Sequence, residues 1–214
     1  MMSKDAIKAL RKSKILLDAM KYPKHIAVAA SEDENLDVLH ELIELQTKFD
    51  IPIITINPMI TENFGEFLDK LRINPLVQQY KIKFAVFGKW YEQPNNIRDS
   101  IKKLLEETSD YDNFFFNICM NYDGQQEIID ACKLLIRKAK LDRINPDNID
   151  KSVVKENLYS SYFLPPDLML LIGEKKLSGF LMWDAQNAKI YLSSKTAEEF
   201  DEKEFLKAIK YYQQ

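Results

Sequence analysis

The chain has 214 residues, 46% hydrophobic and 29% charged, which excludes disordered, collagen-like and low-complexity classes and suits one domain with a buried core. Its 30 Lys and Arg against 33 Asp and Glu leave a formal charge of −3 with no basic block, so nucleic acid is not an expected partner. The 5 glycines, at positions 65, 88, 124, 173 and 179, are too scattered to form a Gly-rich phosphate cradle.

Residues 1–24 carry Ala6, Ile7, Leu10, Leu17 and Met20 at helical spacing among lysines, which predicts an N-terminal helix ahead of a domain over 25–214. From there apolar runs alternate with amphipathic segments. The runs are His25–Ala30, Ile51–Ile56, Ile82–Phe87, Phe114–Met120, Leu168–Ile172 and Lys189–Leu192. Behind the first four come Leu36, Leu39 and Ile43; Phe64, Phe67, Leu68 and Leu71; Ile97, Ile101, Leu104 and Leu105; and Ile128, Ile129, Cys132 and Leu135. Asn145-Pro146 and Asp150 read as caps around short helices, and a last helix opens at Glu198, carrying Phe200, Phe205 and Ile209. Continuous apolar strands alternating with helices predict a single α/β domain with a mostly parallel sheet of about six strands, covered by helices on both faces. Cys119 and Cys132 read as free core thiols, which suits reducing cytoplasm, and no stretch reaches the length of a membrane span, leaving peripheral membrane contact as an option.

In such a sheet ligands bind outside the carboxyl ends of the strands. The acidic stretch Ser31, Glu32, Asp33 and Glu34 reads as a capped helix start, with paired metal-binding carboxylates as the weaker alternative. His25 and His40 have no triad or zinc partner at a suitable spacing and read as structural. Asn121-Tyr-Asp-Gly-Gln-Gln-Glu127 has two readings of equal standing: amide donors and a helix N-terminus arranged for an anion, or a tight strand-to-helix turn around Gly124.

Asn121-Tyr-Asp-Gly-Gln-Gln-Glu-Ile128 is similar to the Asn-Tyr-Gly-Gly-Arg-x-Glu-Ile motif of the cis-prenyltransferases, the undecaprenyl and dehydrodolichyl diphosphate synthases. Ile60-Thr-Glu-Asn-Phe64 resembles that family's Ser-x-Glu-Asn-Trp, and Pro166-Asp-Leu168 through Trp183 resembles its Pro-Asp-Leu to Leu-Leu-Trp segment. The resemblance runs from His25 to the C-terminus. It implies the family's α/β fold, dimerisation through the later strands and helices with Phe180, Trp183 and Tyr191 as interface candidates, and a role in extending an allylic diphosphate with isopentenyl diphosphate. Thr61, Glu62, Asn63, Asn121 and Gln125 become candidate substrate-binding residues.

The same comparison marks losses. Where the family has Asp-Gly-Asn-Gly-Arg-Trp, whose Asp works with Mg2+, this chain has Ser31 to Glu34. Leu171 and Ile172 replace the Arg-x-Ser that grips isopentenyl diphosphate, Gln125 replaces the motif's Arg, and Lys189 stands at a metal-associated Glu. No catalytic residue is assigned and no cofactor is expected on this chain. Mg2+ is expected in a catalytic partner, with Glu32, Asp33 and Glu34 as substitute ligands only if the chain is itself active. The one-residue shortening and Gly179-Phe-Leu-Met-Trp183 resemble the non-catalytic accessory subunit of heteromeric cis-prenyltransferases, the Nogo-B receptor type. That implies an accessory half of a heterodimer making long-chain polyprenyl diphosphates of the undecaprenyl or dolichol kind. The family's accessory subunit ends in an Arg-x-Gly tail, whereas this sequence ends in Tyr211-Tyr-Gln-Gln214, so no tail is expected to reach the partner. An active divergent homodimer and an isoprenoid- or lipid-binding protein with an apolar tunnel are the alternatives.

Overall fold

The structure, a computed structural model, describes residues 22–30, 36–58, 60–173, 176–177 and 179–214. The helix expected over 1–24 and the acidic residues Glu32, Asp33 and Glu34 fall outside these, apart from residues 22–24, which are not helical. Six strands, β1 (His25–Ala30), β2 (Ile53–Asn57), β3 (Ile82–Phe87), β4 (Phe114–Cys119), β5 (Leu168–Ile172) and β6 (Lys189–Ser193), form one sheet in the order β3-β4-β2-β1-β5-β6. Every neighbouring pair is parallel. The expected start of β2 at Ile51 moves to Ile53 because Pro52 has no N–H to give the ladder; its carbonyl still accepts from the Phe115 N–H at 2.9 Å.

The helices are α1 (Asp37–Lys48), α2 (Phe64–Arg72), α3 (Pro75–Tyr80), α4 (Asn95–Glu107), α5 (Gly124–Lys140), α6 (Lys151–Lys155) and α7 (Glu202–Tyr212). Polar side chains start several of them. Asn74 Oδ1 accepts from Leu76 N–H ahead of α3, Asp123 Oδ1 from Gln126 N–H ahead of α5, and Asp201 Oδ1 from Glu204 N–H ahead of α7. That last cap corrects the expected opening at Glu198: the helix begins at Glu202, with the Asp201 side chain satisfying a free amide of its first turn.

Alternate residues of the central strands enter two separate cores. Ile26, Val28, Ile54, Ile56, Phe116, Ile118, Leu168 and Leu170 pack under α1, α2, α4 and α7. On the opposite face Ala27, Ala29, Phe87, Cys119, Met169 and Leu171 meet Phe180 and Leu181, with Tyr122, Tyr159 and Phe163 closing over them. The cover is therefore uneven, with irregular segments doing on the second face most of what helices do on the first. Side chains buried on both faces explain why these strands read as unbroken apolar runs.

One polar chain crosses the second face. His25 Nδ1 lies 2.6 Å from the Leu164 carbonyl, an acceptor only, so Nδ1 carries the proton and donates. Nε2 then accepts from the Thr55 hydroxyl at 2.8 Å, and Thr55 Oγ1 accepts from Asn117 Nδ2 at 2.9 Å. His25 is thus structural, pinning β1, β2 and β4 to the segment that leads into β5. Burial pushes its pKa down from 6.5 to about 4, so the folded protein refuses a proton that the unfolded chain takes up below pH 6.5. Stability should fall by ~3 kcal/mol as pH drops from 6.5 to 4 on account of this group alone. Urea midpoints measured across that window should show a steeper acid limb for wild type than for His25→Gln; parallel limbs would refute this.

Candidate functional site

After β1 the chain crosses one face of the sheet through α1; after β5 it crosses the other, where Phe180 and Leu181 pack. Neighbouring strands whose connections leave on opposite faces open a crevice at their carboxyl ends, which here means Ala30 and Ile172. The turns after β2 and β4 border the same edge.

The turn after β4 is the most constrained of these. Asn121 adopts φ 46°, in the left-handed region. Its Nδ2 donates to Glu92 Oε2 at 2.8 Å, so the amide is already committed. Gly88, φ 86°, lies directly beneath: a Cβ there would sit 2.4 Å from the Met120 carbonyl oxygen. Tyr122 packs edge-on against Phe180 and Tyr159, and its hydroxyl donates to Glu127 Oε2.

Beneath the turn lies a buried ionic cluster that sequence reasoning missed. Glu127 Oε1 accepts from Tyr159 N–H at 2.9 Å and Ser160 N–H at 3.3 Å. Asp184 Oδ2 accepts from Lys155 Nζ at 2.6 Å and from the Ser160 hydroxyl. Burial raises the pKa of Glu127, with the Asp184 charge adding to the rise and the Tyr122 hydroxyl opposing it. Burial, then the Glu127 charge, raises that of Tyr122 well above the ordinary phenol value. The cluster ties together the start of α5, the end of α6 and the segment after β5. A signal existed in the sequence: Glu127, Ala131 and Leu135 share one helical row, and all three are buried.

The other predicted residues are less engaged. Thr61, Glu62 and Asn63 follow β2 and lead into α2; the Thr61 carbonyl accepts from Phe64 N–H, and the Asn63 side chain makes no cap bond. Gln125 is exposed on the first turn of α5. Leu171 and Ile172 are buried, one in each core, at the very end of β5, while Lys176 is exposed four residues on. Phe180 is enclosed by its own chain, the core-packing alternative, and Trp183 and Tyr191 are half-buried. Tyr191 donates to Glu204 Oε1 at 2.9 Å. Cys119 is buried as expected; Cys132 is exposed, a correction explained by the rotation of α5, which turns Ala131 and Leu135 inward instead.

Among the described residues no group of three or more His, Cys, Asp and Glu could hold a metal ion. The Asn121 amide is engaged by Glu92, and the candidate ligands Glu32, Asp33 and Glu34 lie outside the described residues. A cavity of about 590 Å³ lies elsewhere, beside α5, lined by charged and tyrosine side chains unlike an apolar tunnel. No described helix is long and apolar enough to cross a membrane.

The prenyltransferase family model described as undecaprenyl diphosphate synthase matches residues 24–214. The chain is 28% identical to tritrans,polycis-undecaprenyl-diphosphate synthase (geranylgeranyl-diphosphate specific) of Methanocaldococcus jannaschii, over 92% of this chain and 82% of the relative. It is 32% identical to the synthase of the same name in Thermoplasma volcanium, over 82% and 74%, and 30% identical to an isoprenyl transferase of Prochlorococcus marinus, over 92% and 83%. In fold it is similar to lavandulyl diphosphate synthase of Lavandula x intermedia, with TM-score 0.81, 19% identity and cover of 90% of this chain and 95% of that one. A probable undecaprenyl diphosphate synthase of Campylobacter jejuni gives 0.74, with 24% identity and cover of 90% and 96%.

Proposed function

The chain belongs to the undecaprenyl diphosphate synthase family of prenyltransferases, and on that premise we propose that it is a non-catalytic member, the accessory subunit of a heteromeric cis-prenyltransferase. Its partner is a catalytic homologue that extends an allylic diphosphate with isopentenyl diphosphate and carries the Mg2+. The observation that carries this reading is the end of β5. Where the resemblance expects an arginine and a serine on the diphosphate, Leu171 and Ile172 point into the two cores. Two diphosphates held in one crevice need cations or a metal to offset their charge as the leaving group departs. Buried aliphatic groups supply neither, and an unpaired anion against them carries a desolvation cost.

The test is an elongation assay with an allylic diphosphate, isopentenyl diphosphate and Mg2+. Purified chain alone should show no turnover. Added to a catalytic homologue from the same genome, it should raise elongation about tenfold or lengthen the product, a difference of about 1.4 kcal/mol in barrier. Turnover by the chain alone, abolished by Asp33→Ala with Glu34→Ala, would show an active enzyme instead.

A further inference from the structure

Helix α1 turns an acidic row away from the core. Asp37, Glu41 and Glu44 follow one another at helical spacing on its outer side, and Lys48 closes the row. The start of α7 adds carboxylates to the same surface. Partial burial raises the pKa of Glu41, and the charges of Glu44, Glu202 and Asp201 raise it further against the pull of Lys48. Cations here are few: Lys48 is held by Glu202 at 2.5 Å, Lys207 by Glu204 at 2.8 Å, and Lys203 is exposed between them in sequence. Among the described residues neither Glu41 nor Glu44 has an ion-pair partner.

The chain itself carries the complement. Residues 1–21 hold Lys4, Lys8, Arg11, Lys12, Lys14 and Lys21 against Asp5 and Asp18, a net charge of +4 in a chain whose total is −3, so residues 22–214 carry −7. This segment joins the fold beside the acidic row. Tyr22 stacks on Phe49 with ring centroids 6.2 Å apart; Phe49 directly follows Lys48 at the end of α1 and stacks in turn on Phe205 of α7 at 5.7 Å. At 1.5 Å per residue, the helix expected from the sequence of this segment would set Lys14 ~12 Å before Tyr22, the same distance that separates Glu41 from Phe49 along α1. Exposed ion pairs are individually weak, ~0.2–1 kcal/mol. A tether this short nonetheless holds the cations at an effective concentration on the order of millimolar, so a few such pairs keep the segment in place. A second copy offers the same cations without the tether, at its own far lower concentration.

We propose that the outer face of α1, with the first turn of α7, is the docking surface for the basic segment 1–21 of the same chain, with Arg11 and Lys14 level with Glu41 and Glu44. The contact is independent of the accessory-subunit role.

The test is carbodiimide coupling of the full chain at micromolar concentration, which joins a lysine amine to a carboxylate only where the two touch. Isotope-labelled and unlabelled chains are mixed, and the links are read by mass spectrometry at low and high salt. Low salt should give links from Lys12 or Lys14 to Glu41 within one chain, falling about tenfold at about 1 M salt, where the Debye length is ~3 Å. Lys8→Glu with Arg11→Glu leaves both coupling partners in place and should lower the same links about tenfold; adding Glu44→Lys to that variant should restore at least half of them. These substitutions fall on residues 1–21 and on an exposed position of α1, and circular dichroism should show the wild-type fold in each variant. Absence of links to α1 at low salt would overturn the proposal. Links indifferent to salt and to Lys8→Glu with Arg11→Glu would overturn it as well, since chance encounters of a tethered segment need no charge. Links that join labelled to unlabelled chains would assign the face to a second copy instead.

Discussion

Lys155→Met should cost about 3–5 kcal/mol of stability, because it leaves a buried carboxylate with no counter-ion. Lys155 Nζ sits 2.6 Å from Asp184 Oδ2, and the two side chains are 20% and 4% exposed, so water can replace the lost charge only poorly. The same amine donates to the carbonyl and the hydroxyl of Ser160, each at 2.9 Å. Ser160 in turn donates its amide to Glu127. Loss of one cation therefore loosens both carboxylates, and with them the start of α5 and the segment after β5. Replacing both partners tests that cause. Lys155→Met with Asp184→Asn removes the buried charge along with its partner and should recover at least half of the loss in urea midpoint. If the double variant is as unstable as the sum of the two singles, the pair is not coupled and this account of the cluster fails.

That cluster marks where sequence reading stops. The central strands were legible because each is an apolar run buried on both sides, and burial of that kind leaves little room for polar residues, whereas the edge strand β6, with Lys189, Ile190 and Leu192 exposed, was legible only as a short apolar run. The sheet class and the crevice follow from those runs. The facing of α5 does not. Ile128, Ile129, Cys132, Leu135 and Ile136 form an apolar band too broad to choose one side of the helix, and the choice is made by contacts distant in sequence. Glu127 accepts amides 32 and 33 residues away, and Gly124 touches the segment after β5. Residues expected to bury, Ile129 and Cys132, consequently lie outside. The start of the last helix shows the same limit on a smaller scale, where acidic residues over 198–202 all suit a first turn and only the Asp201 bond to Glu204 N–H fixes which begins it. At the site, the turn motif was readable as a strand-to-helix corner, but the commitment of Asn121 to Glu92 depends on the loop after β3 and has no local trace.

Gly124→Ala should destabilise the protein by about 3 kcal/mol, near the upper end for forced overpacking. A Cβ at Gly124 would lie 2.0 Å from the Gly179 carbonyl oxygen and 3.0 Å from Met182 Cβ. The first of these is backbone and cannot rotate aside. Nor can the segment slide easily, since Gly179 holds φ 74° and Leu181 φ 45°, and Leu181 is buried beside Phe180. A bulky residue in the left-handed region is itself costly and persists only where its surroundings impose it. The two segments that border the crevice are therefore seated on each other through a contact only glycine allows. Gly65→Ala is the control: its Cβ would meet nothing nearer than 3.6 Å, within α2, so the same change should be neutral or stabilise by up to about 1 kcal/mol. Thermal melts should then diverge for two identical substitutions, downward by roughly 6–12 °C at Gly124 and unchanged or upward at Gly65. Equal melts would mean that the crevice walls are free to separate, and the seating of α5 on the segment after β5 would have to be abandoned.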